Sequence, residues 1–85
     1  MKYYDWNEEK NQILKEKRKI CFEEIIWAIE HNQLLDIVQN SKYAHQKIFV
    51  VGIDQYVYLV PFIEDDEKYL LKTIYPSRVA TKKYL

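Results

Sequence analysis

Positive charge gathers at one end of this chain. Residues 68–85, KYLLKTIYPSRVATKKYL, hold five basic side chains and no acidic one, directly after the acidic run Glu64-Asp65-Asp66-Glu67. Arg78 opens the last helical pattern, with Ser77 before it and Lys82 and Lys83 behind it. Lys72 and Lys47 lie on candidate strands, and His45 lies in the loop before one of them. Side chains of these types serve cleavage of an RNA backbone without a metal. One group helps to activate the ribose 2′-hydroxyl, another protonates the departing 5′ oxygen, and cations hold the charged phosphorane. Arginine suits the last task because its planar fork binds two phosphate oxygens. The free N–H groups at a helix start add to that attraction. The catalytic candidates are therefore Arg78, Lys47 and Lys72, and the substrate-binding candidates are Lys82, His45 and Ser77. Each has a structural alternative: Arg78 paired with the acidic turn, His45 simply exposed in its loop.

Elements capable of positioning these groups have to come from one small core. Eighty-five residues make a single domain, 1–85, of marginal size for a core. A hydrophobic content of 48%, with eight Tyr, three Phe and two Trp, compensates, because aromatic side chains bury much area each. One Gly and two Pro argue against flexible linkers. The lone Cys21 cannot form an internal disulfide, and the Cys and His spacing offers no metal site. It reads as a small buried side chain, and no cofactor is expected. The polar start MKYYDWNEEK has no signal-peptide core, and no apolar run approaches a membrane span. A cytoplasmic location is the expectation. The formal net charge is zero, 13 Lys+Arg against 13 Asp+Glu, so any nucleic-acid binding must rest on local charge. No recognition-helix motif points to sequence-specific DNA binding.

KYYDW reads as a short strand. Asn7 caps a helix over NEEKNQILKEKRK, with acidic residues at its start, basic ones at its end and a thin stripe of Ile13 and Leu14. In CFEEIIWAIEHN, Phe22, Ile25, Ile26 and Ile29 follow the helical spacing, and Trp27 and Ala28 widen that stripe. Four strands follow with tight turns: LLDIVQN, KIFVVGI, YVYLVPFIE and YLLKTIYP. Pro61 has no N–H for a ladder and must sit at a bulge or on an unpaired side. Ser77 caps a short last helix, RVATKKYL. The fold class is α+β: two N-terminal helices on an antiparallel four-stranded meander, a short N-terminal strand and a short C-terminal helix. YVYLVPFI is apolar in both alternating sets, where a sheet with one wet face alternates. Either a partly exposed aromatic face serves self-association or a partner, as a homodimer or heterotetramer, or a curled sheet buries both faces.

This order of elements resembles the BrnT family of toxins from type II toxin–antitoxin modules, small ribonucleases with a RelE-like fold. The family's Trp-(Asp/Asn)-x-x-Lys opening is similar to Trp6, Asn7 and Lys10. Its Lys-His-Gly-Ile-x-Phe-Glu-Glu segment resembles Lys17, Ile20, Phe22, Glu23 and Glu24. A family strand with a basic residue five before a glycine is matched by Lys47 and Gly52, and the Ser-Ala-Arg-x-Ala-Thr ending by Arg78, Ala80 and Thr81. Arg18-Lys19 stand where the family has His-Gly. Thr73 stands where it tends to carry a further Arg, and Lys72, one step away, belongs to the opposite face of a regular strand. The resemblance implies a metal-independent endoribonuclease that cleaves mRNA and is neutralised by a small DNA-binding antitoxin. The alternative is a degenerate, non-catalytic interaction module that binds such a partner.

Overall fold

The computed structural model describes residues 2–85. Strand β1 (Tyr3–Trp6) leads into helix α1 (Glu8–Arg18). Asn7 starts the helix from an extended conformation, its side chain accepting the Lys10 N–H at 3.0 Å. Lys19 ends it in the left-handed region, φ 57°. A side chain costs energy there and glycine does not. The buried stripe of α1 is Asn11 and Leu14, while Ile13 points outward.

Helix α2 (Phe22–Glu30) begins behind Cys21, whose thiol makes no capping bond. Asn11 supplies the missing acceptor from α1: its Oδ1 takes the Phe22 N–H at 2.8 Å. Its Nδ2 donates to Glu8 Oε1 at 3.1 Å and Glu23 Oε1 at 2.8 Å. Asn11 is the only buried polar side chain among the described residues, and it joins the two helices. Phe22, Ile25 and Ala28 form the inner face of α2. Trp27 departs from the expected stripe: it is 60% exposed and lies flat on His31, ring centroids 4.0 Å apart.

The remaining elements are β2 (Leu34–Gln39), β3 (Lys47–Ile53), β4 (Tyr56–Glu64), β5 (Lys68–Leu71), β6 (Tyr75–Pro76) and α3 (Arg78–Tyr84). The α+β class stands, but the sheet differs from the expected four-stranded antiparallel meander. Among the described residues it has six strands in the order β1-β5-β4-β3-β2, with β6 also on β4, and it is mixed. β1 runs parallel to β5, pairing Tyr3 with Lys68 through to Trp6 with Leu71. Parallel strands require a long crossover. Here the crossover is the helical layer together with the meander itself. Tyr4 stacks on Tyr69 at 5.3 Å, and Lys68 Nζ reaches Asp5 Oδ2 at 3.1 Å across the junction.

The expected last strand, YLLKTIYP, is broken in two. After Leu71 the chain leaves the ladder for residues 72–74 and returns as β6 beside Tyr58 and Leu59. Pro61 explains the break. Its carbonyl accepts the Lys72 N–H at 2.8 Å, and the same edge of β4 lacks the donor a continued ladder would use. Ile74 fills the gap and is fully buried.

Both faces of β4 are covered, though unequally. On one, Leu14, Ile20, Phe22, Ile25 and Ala28 pack on Phe49, Val51, Val60, Phe62 and Leu71. Phe49 and Phe62 stack at 3.8 Å. On the other, α3 seats Ala80 over Val50 and Val57, with Tyr84 alongside. A seven-residue helix has little stability of its own; α3 is held by specific bonds. Ser77 N–H donates to the Val57 carbonyl at 2.9 Å, and the Val57 N–H donates to Thr81 Oγ1 at 2.9 Å. Tyr84 Oη donates to Asp36 Oδ2 at 2.7 Å, which holds the Asp36 carboxyl below the usual aspartate range. Among the described residues no helix is long and apolar enough to cross a membrane.

Candidate functional site

The part of the α3 face that α3 leaves open is a groove of about 690 Å3, within the range of ligand clefts. Its floor is Ile48, Leu59 and Pro61. One wall is the β2–β3 loop, with Asn40, Ser41, Lys42, Tyr43 and Gln46; the other is the broken segment, with Lys72, Thr73 and Tyr75. No Asp or Glu lines it.

Lys72 follows the core residue Leu71 and so falls on the groove face by alternation; Thr73 joins it because the strand stops. Strict alternation through 72–75 would place Lys72 and Thr73 on opposite faces. Residues 72–74 are not in a strand, and both side chains line the same wall. The position where the resemblance calls for a second arginine therefore faces the groove as a threonine.

The motif around Arg78 is mostly structural. Ser77 Oγ accepts the Ala80 N–H at 3.0 Å and caps the helix, so it is committed to the backbone. Thr81 Oγ1 donates to the Ser77 carbonyl at 2.7 Å while accepting from β4. Ala80 is buried. Arg78 is exposed and has no hydrogen-bond or ion-pair partner among the described residues. The expected pairing with the acidic turn is not formed. Instead Glu64 takes Lys2, and Asp65 Oδ1 accepts the N–H groups of Glu67 and Lys68 at 2.8 and 2.9 Å. Arg78 is three positions on from the groove-lining Tyr75, so their backbones lie within about 11 Å of each other. Lys82 is exposed further along α3.

Lys47 and His45 are elsewhere. Lys47 shares its strand face with Phe49 and Val51, the face covered by α1 and α2. With His45 it lines a separate hollow of about 280 Å3 that also holds Lys2, Phe62, Glu64, Asp65 and Asp66. Three carboxylates make that hollow hostile to a phosphate. The six candidates thus do not form one cluster. Lys72 lies in the open groove, Arg78, Ser77 and Lys82 on the adjoining helix and its cap, and Lys47 on the other side of the sheet. His45 lines the hollow of Lys47 with its ring edge-on to that of the groove residue Tyr43, centroids 6.3 Å apart.

Sequence reasoning passed over Lys42 and Tyr43, an exposed lysine and an exposed aromatic side by side on the groove wall. The available signal was an aromatic beside a lysine in a loop of turn-forming residues, NSKYAHQ. It also passed over Asn11, whose signal was a polar residue on the Leu14 stripe three residues after Glu8. Cys21 is buried, and burial pushes its thiol above the ordinary cysteine range, the condition of an inert rather than a reactive thiol. Among the described residues no three His, Cys, Asp or Glu side chains converge to hold a metal ion. A third hollow, of about 410 Å3 beside Trp27 and Leu85, contains none of the candidates. Compared with protein-family models, with curated proteins and with solved structures, the chain finds no significant match.

Proposed function

We propose that this chain is a toxin of the BrnT type with a RelE-like fold, an endoribonuclease that cuts mRNA without a metal and is held inactive by a small DNA-binding antitoxin. The observation that supports this reading is the segregation of charge. A chain of zero net charge and 13 acidic residues keeps every carboxylate out of one open groove and places Lys42 and Lys72 on its walls. Arg78, left without a structural partner, begins the helix beside it. In this reading Lys72 and Arg78 bind the scissile phosphate and hold the phosphorane charge. The 2′-oxygen gives its proton to water and bonds to phosphorus, forming a 2′,3′-cyclic phosphate, while the P–O5′ bond breaks and the departing 5′-oxygen takes a proton from water. Purified protein incubated with RNA in EDTA tests it. Wild type cleaves, and Arg78→Ala loses about 100-fold or more of that rate, the scale of removing one transition-state donor. Absence of any cleavage by the wild type overturns the catalytic reading.

One observation favours a second reading. His45 and Lys47 line the acidic hollow, and although the His45 ring stands edge-on to that of Tyr43 at 6.3 Å, the groove's own lining has tyrosines and lysines but no histidine to move a proton. A non-catalytic module that retains the fold and binds an antitoxin-like partner fits that arrangement. RNA binding without cleavage, or partner binding without either, distinguishes it.

A further inference from the structure

The groove presents one feature that phosphate binding alone does not require. Tyr43 stands at its rim 47% exposed, on a loop that is firmly held. Asn40 Oδ1 accepts the N–H groups of Lys42 and Tyr43 at 2.9 and 3.3 Å. The Asn40 N–H reaches the Gln46 carbonyl at 3.1 Å, and the Gln46 N–H reaches the Tyr43 carbonyl at 3.0 Å. Gln39 Nε2 ties the loop back through Ala44 and Gln46, at 2.8 and 3.0 Å. An exposed aromatic on a tied loop has already lost its backbone freedom, so a ligand need not supply that ordering. Lys42 Nζ lies 5.7 Å from the Tyr43 ring centroid. Tyr3 and Trp27 are also exposed aromatics, but Trp27 borders a hollow with Glu24 and Asp54, and Tyr3 lines none of the three concavities.

From these facts we infer that Tyr43 is a stacking platform for an unpaired base, and that the groove takes single-stranded RNA. The inference rests on the RNA reading of the same groove and adds the substrate class. An aromatic ring beside cations binds any base by its π-face while the cations follow the phosphates. A duplex offers no free base face, because its bases are stacked on one another. Asn40, Ser41 and Gln46 add neutral donors and acceptors along the same wall.

The test measures binding of a single strand methylated on every 2′-oxygen, which cannot be cut by 2′ attack, and of the corresponding duplex. Wild type should prefer the single strand. Tyr43→Ala should weaken binding by about 5- to 150-fold, the range for one stacked base, with the salt dependence unchanged, and Tyr43→Trp should restore it. Lys72→Ala should weaken binding and make the salt dependence shallower by about 0.7 in logarithmic slope, one phosphate contact on a single strand. Thermal melting of each variant confirms that it is folded. If Lys72→Ala weakens binding but Tyr43→Ala does not, or if the duplex binds as well, the stacking inference is wrong while the RNA groove stands. If neither oligonucleotide binds, the RNA reading itself fails and takes this inference with it.

Discussion

Lys47 and Lys72 occupy neighbouring positions across the sheet. Lys47 pairs with Phe62, Phe62 pairs with Leu71, and Lys72 follows Leu71. Their side chains nevertheless emerge on opposite faces, into opposite surroundings. Lys47 meets Glu64, Asp65 and Asp66; Lys72 meets tyrosine, threonine and amides. The same side chain stands among carboxylates in one place and among neutral groups in the other. Position relative to the pleat decides this, not the number of positive charges nearby in sequence. The two faces also divide the work of the molecule. The face under α1 and α2 holds the larger core and the buried Asn11 bridge. The α3 face is half covered, and its uncovered half is the groove.

If that division is real, substitutions on the two faces should separate stability from RNA binding. The largest stability effect should come from Asn11→Leu. It leaves the Phe22 N–H without its acceptor and strips a donor from Glu8 and Glu23. A loss of about 2–3 kcal/mol is expected in urea unfolding, with RNA affinity of the folded protein unchanged. A drop in affinity at constant stability would break the division. Lys19→Gly should act in the other direction, by about 1 kcal/mol, because Lys19 holds φ 57° at the end of α1. Higher denaturation midpoints with an unchanged m-value would verify it, again without an effect on binding.

Those two positions also mark how far the chain could be read before folding. β3 and β4, the Asp54-Gln55 turn between them, the Asn7 cap and the extent of α3 follow from β-branched and aromatic runs, turn chemistry and capping, which act over a few residues. What was not legible acts over longer distances. The parallel partner of β1 lies at the far end of the chain, and local pattern contains no sign of it. The break at 72–74 looks like strand because Lys72-Thr73-Ile74 has no turn residue; its cause is Pro61 on the neighbouring strand. Lys72 and Arg78 could be nominated from residue type, but the faces on which Lys72 and Lys47 emerge depend on the register of β3, β4 and β5, and the turning of Thr73 to the groove depends on the break. Trp27, expected to widen the stripe of α2, lies off the i, i+3, i+4, i+7 positions and turns outward onto His31.

The smallest effect concerns acid. Asn11 donation holds the Glu23 carboxyl below its usual range. A depressed carboxylate contributes stability above the unfolded value, about 4.3, and loses it as pH falls through the folded value. Unfolding free energy should therefore decline on acidification below the ordinary glutamate range. Glu23→Gln should make that decline shallower, and an unchanged slope would show that the Asn11 bond does not bias the charge state.

The most direct test compares the two neighbouring lysines. The salt dependence of single-stranded RNA binding is measured for wild type, Lys72→Ala and Lys47→Ala. The expected result is a weaker affinity and a shallower slope for Lys72→Ala alone, with Lys47→Ala matching wild type. Equal losses from both, or a loss confined to Lys47→Ala, would contradict the assignment of the α3 face as the RNA surface.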